Sequence, residues 1–262
     1  MPGEIWVSAS GMQTEAWRID ALANDIANVD TAGFKAQLPT AGDTAPGGVY
    51  PAGLVVGPAA PPAVLAVGGE SPLGLRLDMS QGAARLTDRP LDLDVAGLGL
   101  FAVQDAGGAT LYTRNGRFTM DASGTVVDEQ GRSLLSLTGG PIHLPAGATD
   151  LQVTGQGEIS AMVNGARTQV AQIGLILPTD PQGLRGQGVG TWAATPAAGA
   201  LTTVAPGQGG AGSLHAGALE GSNADLSALL PDLLAAQRAY EMNSRAYGVG
   251  LQLWTLSNHL LV

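Results

Sequence analysis

Apolar residues recur along this chain with two different periods. Near the N-terminus Ile5, Ala9, Met12, Ala16, Ile19, Ala23 and Ile26 fall at spacings of 4, 3, 4, 3, 4 and 3. Near the C-terminus Leu226, Leu233, Tyr240, Tyr247, Trp254 and Leu261 occupy every seventh position. Such a repeat holds one stripe on one side of a helix and favours pairing with another helix. Neither stripe can be buried by its own helix, so the termini are expected to pack on each other or on copies of themselves. The residues of both stripes form the candidate assembly interface. The first helix is expected over about Glu4–Asn28, with Asp30, Thr31 and Gly33 as stop signals; Gly33 suits a left-handed position just past the helix. Gly221-Ser-Asn-Ala-Asp225 supplies capping chemistry for the second. Pro231 sits about a turn inside that start and either kinks the helix or marks a later first turn. Gly248 and Gly250 weaken it by roughly 1 kcal/mol each relative to Ala and allow close approach of another backbone.

Between the helices the period shortens to that of strands. Leu91, Leu93 and Val95 alternate with Asp92 and Asp94, the half-buried strand pattern. Leu100–Val103, Thr110–Arg114, Leu151–Thr154, Glu158–Met162 and Thr168–Leu177 read as further strands. Turns are expected at Ala106-Gly-Gly108, Asn115-Gly116, Asp121-Ala-Ser-Gly124, Glu129-Gln-Gly131, Gly155-Gln-Gly157 and Asn164-Gly165. Strands and turns this closely spaced predict an antiparallel sandwich or barrel-like module. Pro39–Pro72 carries seven prolines and seven glycines and reads as an extended excursion, with a long irregular hairpin as one form. Gly183–Gly212 is Gly-rich and reads as a returning loop. The expected fold is therefore α+β, with long N- and C-terminal helices paired in a coiled-coil-like element and a central antiparallel β-rich domain. Its segments are 1–34 helical, 35–85 extended, 86–215 β-rich, and 216–262 helical and paired with 1–34.

Composition narrows the function classes. The chain has 262 residues, 45% of them apolar and 13% charged, with 39 Gly and 16 Pro. That is turn-rich, yet too apolar for wholesale disorder. A formal net charge of −10, with Lys35 as the only lysine, makes it a poor binder of a phosphate backbone, so no nucleic-acid partner is expected. There is no cysteine, hence neither a disulfide framework nor thiolate chemistry; this suits an extracytoplasmic protein. Residues 1–30 carry five acidic side chains and no basic n-region, so no classical signal peptide is expected. No apolar run is long enough to span a bilayer, and no direct membrane insertion is expected.

Nothing in the chain carries a strong catalytic signal. Asp88, Asp92 and Asp94 are the best candidates for paired carboxylates, but on an alternating strand Asp92 and Asp94 share the solvent face. Their replacement by Asn is accordingly expected to leave function nearly intact. His143, His215 and His259 lie far apart without ligand spacing, so no metal is expected. Gly97-Leu-Gly99 and Gly183–Gly190 lack the GKS/T or the Rossmann-type helix of phosphate loops. No nucleophile elbow and no His-Glu-x-x-His occurs. The reading at this level is no catalytic residue and no cofactor.

Four blocks resemble a known family. Asn28-Val-Asp-Thr-Ala-Gly-Phe-Lys35 resembles the segment closing the first helix of bacterial flagellar rod and hook proteins. Asp88-Arg-Pro-Leu-Asp-Leu93, Gly99-Leu-Phe-Ala-Val103 and Leu111-Tyr-Thr-Arg-Asn-Gly-Arg-Phe118 together are similar to their central signature. Gly217-Ala-Leu-Glu-Gly-Ser-Asn223 and Ala236-Gln-Arg-Ala-Tyr-Glu-Met-Asn243 are similar to their C-terminal one. The resemblance implies a flagellar axial protein whose paired terminal helices form an inner tube. It implies export through the flagellar type III apparatus, placement in the periplasmic rod of the basal body, and partners among itself and other rod and hook subunits. Length points to a rod rather than a hook protein. Arg89-Pro-Leu-Asp92 and Gly140-Pro-Ile-His-Leu-Pro145 lean to the proximal type, and Gln237-Arg-Ala-Tyr-Glu-Met-Asn-Ser244 to the distal. Such a subunit is expected to assemble helically into a torque-transmitting driveshaft, its monomer less ordered at both ends. The alternatives are a cell-wall-acting enzyme, which needs a positioned acid and a partner carboxylate, and a free-standing β-rich binding module.

Overall fold

A computed structural model describes residues 2–43 and 70–259. Most of the Pro/Gly-rich Pro39–Pro72 segment, and Leu261, lie outside the described residues. The fold is α+β and divides into two compact units: one of Met1–Ala27, Gln37–Arg76 and Asp225–Val262, the other of Asn28–Ala36 and Leu77–Ala224. The β-rich unit is thus wider than 86–215, because the segments flanking both helices are hydrogen-bonded into it.

In the first unit, helix α1 runs Pro2–Ala27 and helix α2 runs Leu226–His259. Asp225 caps α2, its carboxylate accepting the Ser227 N–H at 2.9 Å. Pro231 lies inside α2 without ending it. The donor it lacks leaves the carbonyl of exposed Ser227 to water, a cost of about 3 kcal/mol that the long helix beyond it outlasts. The helices pack on each other, antiparallel. A Cβ at Gly11 would stand 2.7 Å from the Asn243 side chain, and one at Gly250 3.1 Å from that of Ile5. Gly250 therefore admits a side chain rather than a backbone, and Gly248 has nothing within 4 Å. Strands β1 (Gln37–Asp43) and β2 (Glu70–Leu77) pair with each other, so the two ends of the Pro/Gly-rich excursion do form a ribbon. β1 packs on α1, where the Gln37 N–H donates to both carboxylate oxygens of buried Asp25 at 3.1 Å. Among the described residues no helix is long and apolar enough to cross a membrane.

The second unit holds β3 (Ala84–Leu86), β4 (Leu93–Ala96), β5 (Leu100–Gln104), β6 (Thr110–Thr113), β7 (Phe118–Met120), β8 (Val126–Asp128) and β9 (Ser133–Leu134). There follow β10 (Thr149–Val153), β11 (Glu158–Val163), β12 (Ala166–Gln172), β13 (Leu175–Pro178), β14 (Leu184–Gly188) and β15 (Thr191–Ala194). β16 (Leu201–Val204), β17 (Ser213–Ala216) and β18 (Ala218–Glu220) complete it. A nine-stranded antiparallel sheet runs β14-β15-β6-β5-β9-β8-β7, with β13 bridging β5 to β16. A three-stranded sheet, β10-β11-β12, and the ribbons β17-β4 and β18-β3 stand beside it. β5 is apolar at successive positions because both of its faces are covered. Phe101 and Val103 enter one core, where Phe101 meets Phe118 edge-on at 5.3 Å; Leu100 and Ala102 enter a second core with Tyr112 and Trp192.

Three expectations are corrected here. Asn115-Gly116 is not a hairpin turn, since β6 pairs with β5 and β15 while β7 pairs with β8. Gly116 is demanded by close approach instead: a Cβ there would lie 1.7 Å from the Leu93 carbonyl oxygen, and the Leu93 N–H donates to the Gly116 carbonyl at 3.0 Å. Thr168–Leu177 is two strands, broken at Ile173-Gly174, because β12 pairs with β11 and β13 with β5 and β16. Gly183–Gly212 is no loop; it supplies β14, β15 and β16, whose β-branched and aromatic residues at Thr191-Trp192 and Thr202-Thr-Val204 outweigh the glycines around them. The turns at 106–108, 121–124, 129–131, 155–157 and 164–165 lie between strands as expected.

Candidate functional site

The helix pair places the predicted stripe unevenly. On α1, Ile5, Ala9, Met12, Ala16, Ile19 and Ile26 are half-buried and Ala23 is exposed, while Ser8, Thr14, Ala21, Leu22 and Asp25 are the buried positions. On α2, Leu233 and Tyr247 are half-buried, whereas Leu226, Tyr240 and Trp254 are exposed. The seam of α2 toward α1 includes positions the heptad reading missed: Ala236, fully buried, and Leu229, Asn243 and Gly250, all half-buried. Each lies three residues after a predicted stripe position and so belongs to a second row with the same seven-residue spacing. A small, a polar and a glycine residue there hid the signal from a search for large apolar side chains.

Sequence reasoning also missed a buried ionic cluster in the β-rich unit. The Lys35 ammonium lies 2.6 Å from one carboxylate oxygen of Glu220, and the Arg114 guanidinium lies 2.5 Å from the other. All three side chains are within 3% of complete burial. The remaining donors are used as well. Lys35 donates to the Ser80 carbonyl at 2.5 Å; Arg114 donates to the carbonyls of Val95 at 2.6 Å and Gly97 at 2.5 Å, and to that of Gly99. The Gly82 N–H donates to Glu220 at 2.9 Å. Beside this, Asn223 accepts the Ala36 N–H at 2.7 Å and donates to the Asp78 carbonyl at 2.9 Å. The cluster therefore pins 33–36, 78–82 and 220–223, the segments by which the chain enters and leaves this unit. Burial pushes the Lys35 ammonium below its ordinary pKa, and the Glu220 carboxylate pulls it back. Lys35, Arg114 and Glu220 come from three of the blocks that carry the family resemblance, so those distant blocks meet at one point.

Asp92 and Asp94 are not on a wet strand face: both are 1% exposed. The alternation of β4 is real, but both of its sides are buried in the folded unit. β17 pairs with β4 and sets His215 opposite Asp94, Nδ1 to Oδ2 at 3.7 Å; Arg89 lies 3.8 Å from Asp92. One oxygen of each carboxylate, Oδ1, has no hydrogen-bond partner among the described residues. Burial first, and the nearby Glu220 charge second, hold the Asp94 carboxyl above its usual range, against the pull of Arg114 and His215. The Asp94 carboxyl thus sits within the field of the Glu220 cluster.

The other chemical candidates are dispersed. His143 hydrogen-bonds Thr125 at 2.9 Å, His215 sits on β17 and His259 ends α2. Among the described residues no three His, Asp or Glu side chains converge as metal ligands. Gly97-Leu-Gly99 presents carbonyls to Arg114, the opposite polarity to a loop whose N–H groups cradle phosphate. Elsewhere, burial raises the Asp25 carboxyl to about 6 despite the Gln37 N–H bonds.

Comparison with known proteins follows the same geography. A family model described as "Flagella basal body rod protein" matches residues 5–35, covering most of α1 and the segment ending at Lys35. One described as "Flagellar hook protein FlgE/F/G D1 domain" matches residues 94–161, and "Flagellar basal body rod FlgEFG protein C-terminal" matches 215–249. The chain is 33% identical to flagellar basal-body rod protein FlgG of Caulobacter vibrioides, over 97% of each chain. It is 32% identical to FlgG of Bacillus subtilis over 92% of each, and 30% identical to rod protein FlgF of Caulobacter vibrioides over 92% of this chain and 90% of that one.

Proposed function

Because the chain belongs to the flagellar basal-body rod protein family, we propose that it is a structural subunit of the rod, assembling helically through its terminal helices into the axial driveshaft that transmits torque. The observation that carries this reading is on α2, where Leu226, Tyr240 and Trp254 stand exposed on a long helix whose other side packs on α1. Apolar side chains in such a row gain stability only when a neighbour covers them. The α1–α2 pair then works as a coiled-coil-like element. Its interface residues are Ile5, Ala9, Met12, Ala16, Ile19, Ala23, Ile26, Leu226, Leu233, Tyr240, Tyr247 and Trp254, with Leu261 continuing the row in sequence.

The family is a structural one, not an enzyme family, and the role proposed needs no catalysis. A driveshaft must resist shear, and the buried ionic cluster and double-cored β-unit supply rigidity. Partners in this reading are further copies of the chain, other axial rod and hook subunits, and the flagellar export apparatus; the place of action is the flagellar basal body. The relatives include proteins named FlgG and FlgF, so the proposal covers a rod subunit of either the proximal or the distal type. The test is complementation of a rod-deficient strain, with electron microscopy of isolated basal bodies and of the purified protein. Rods labelled by a tagged copy are expected. Intact basal bodies that never contain the chain would overturn the reading, as would release of muropeptides from purified cell wall by the protein alone.

A further inference from the structure

Of the twelve lysines and arginines in the chain, Lys35 alone is a lysine. A buried ion pair is ordinarily a place for arginine, whose guanidinium is weakly hydrated and whose planar fork fixes the geometry. Lysine differs in one way that bears on this site: its ammonium gives up a proton more readily when buried, and the neutral amine is a nucleophile. The Lys35 side chain is completely buried. Burial first, and the Arg114 charge after it, push its ammonium down, against the pull of Glu220.

The neighbours of Lys35 supply the other parts of an acyl transfer. Glu220 Oε1 lies 2.6 Å from Nζ, in position to take a proton from it. Asn223 brings a carboxamide alongside: Lys35 Nζ and Asn223 Nδ2 both donate to the Ser80 carbonyl oxygen, at 2.5 and 3.2 Å. Two donors on one acceptor stand about 4–5 Å apart. The carboxamide is held in place from both ends. Nδ2 also donates to the Asp78 carbonyl at 2.9 Å and to Ser80 Oγ at 3.0 Å, and Oδ1 accepts the Ala36 N–H at 2.7 Å. That N–H polarises the carbonyl and is already in place for the oxyanion that attack on Cγ creates. Asn223 is half-buried, which leaves a small leaving group a way out.

We propose that Lys35 and Asn223 join through an isopeptide bond once the β-rich unit has folded, with Glu220 moving the protons. The ion-paired cluster is the arrangement from which the bond forms. Glu220 takes one proton from the Lys35 ammonium. The neutral Nζ attacks Asn223 Cγ, the Nζ–Cγ bond forms, and the carbonyl π pair moves to Oδ1 beside the Ala36 N–H. When that pair returns, the Cγ–Nδ2 bond breaks and its electrons leave with Nδ2. Glu220 passes to Nδ2 the protons that Nζ sheds, so the nitrogen departs as an ammonium ion. A lysine ammonium and an asparagine amide thus become one substituted amide and one free ammonium. Glu220 ends as the carboxylate it began as, still paired with Arg114, and no oxidant, reductant or further co-reactant is consumed. Only the folded chain can do this, because Lys35 and Glu220 lie 185 positions apart in sequence. The bond would close the chain where it enters and leaves the unit. A pull applied through segments 1–34 and 224–262 would then pass through one amide instead of the hydrogen bonds between strands. The step stands on the cluster alone and holds whether or not the chain enters rods.

Mass spectrometry of the full-length folded protein tests this directly. After incubation at neutral pH the wild-type chain is expected to weigh less than its sequence by one ammonia. Trypsin does not cut after an acylated lysine, so the digest should contain a single branched peptide joining residues 19–76 to residues 186–238. Lys35→Arg, which keeps the buried cation, and Asn223→Ala should each keep the full sequence mass and give separate peptides, with folding checked by Trp192 fluorescence. In Glu220→Gln the branched peptide should form far more slowly than in wild type or not at all. Folded wild-type protein of full sequence mass, cut normally after Lys35, overturns the proposal. Loss of ammonia without the branched peptide, the mark of a cyclic imide at an asparagine, overturns it equally. A branched peptide that forms at the wild-type rate in folded Glu220→Gln would overturn the role given to Glu220.

Discussion

Glu220 holds two buried cations, which makes Glu220→Gln the sharpest perturbation of the β-rich unit. The substitution keeps size and shape but removes the only carboxylate, among the described residues, within hydrogen-bond reach of Lys35 and Arg114, at 2.6 and 2.5 Å. An amide cannot replace it, because an oxygen set toward Lys35 turns an NH2 donor toward the Arg114 guanidinium. Breaking a buried pair by removing one partner costs about 3–5 kcal/mol. Against a whole-domain stability of about 5–15 kcal/mol, that is a large share. At roughly 2–4 °C per kcal/mol for a unit of this size, the melting temperature should fall by about 6–20 °C. Trp192, buried in this unit, reports the transition by fluorescence, because Trp6, Trp17 and Trp254 lie on the helices. Lys35→Met is the control. It leaves Glu220 paired with Arg114 and with the Gly82 N–H at 2.9 Å, so it should cost clearly less. The double variant should be more stable than Glu220→Gln alone, by a coupling of about 0.5–3 kcal/mol. A loss below about 1 kcal/mol for Glu220→Gln, or a larger loss for Lys35→Met, would refute the view that one carboxylate neutralises both cations.

Other perturbations read other parts of the molecule. Asp25 has a folded-state pKa raised from 3.8 to about 6, so its ionisation opposes folding: the helical unit should lose stability as pH rises from about 4 to 6, and Asp25→Asn should flatten that dependence in urea titrations followed by circular dichroism. Gly116→Ala should cost about 3 kcal/mol or prevent folding, since its Cβ would meet the Leu93 carbonyl at 1.7 Å; a melting temperature within a degree of wild type would contradict the close-approach argument. Tyr247→Asp with Trp254→Asp should abolish rods in complemented cells while the Trp192 transition stays unchanged; a shifted Trp192 transition would instead assign the row to the core of the β-unit.

The sequence alone was enough for both terminal helices, the antiparallel character of the middle, most of its turns, and the family. These follow from local periods and turn residues, which act within a few positions of themselves. Tertiary structure decided what covers each face. The alternation at Leu91–Val95 correctly separates two sides of the strand, yet period cannot say that both sides are buried, so Asp92 and Asp94 read as wet while each is 1% exposed. Gly116 reads as a turn residue because glycine serves both turns and close approach, and only the Leu93 backbone shows which is at work. Lys35 stood out as the sole lysine without a partner, because Glu220 lies 185 positions away and Arg114 pairs with it from a third segment. The heptad rows likewise identified helices that need partners, while antiparallel packing assigned Ala236, Asn243 and Gly250 to the intrachain seam and left Met242, Val249 and Leu253 facing outward. A local pattern reports that two faces of an element differ; the chain that comes to lie on each face is set by contacts remote in sequence, which periodicity does not encode.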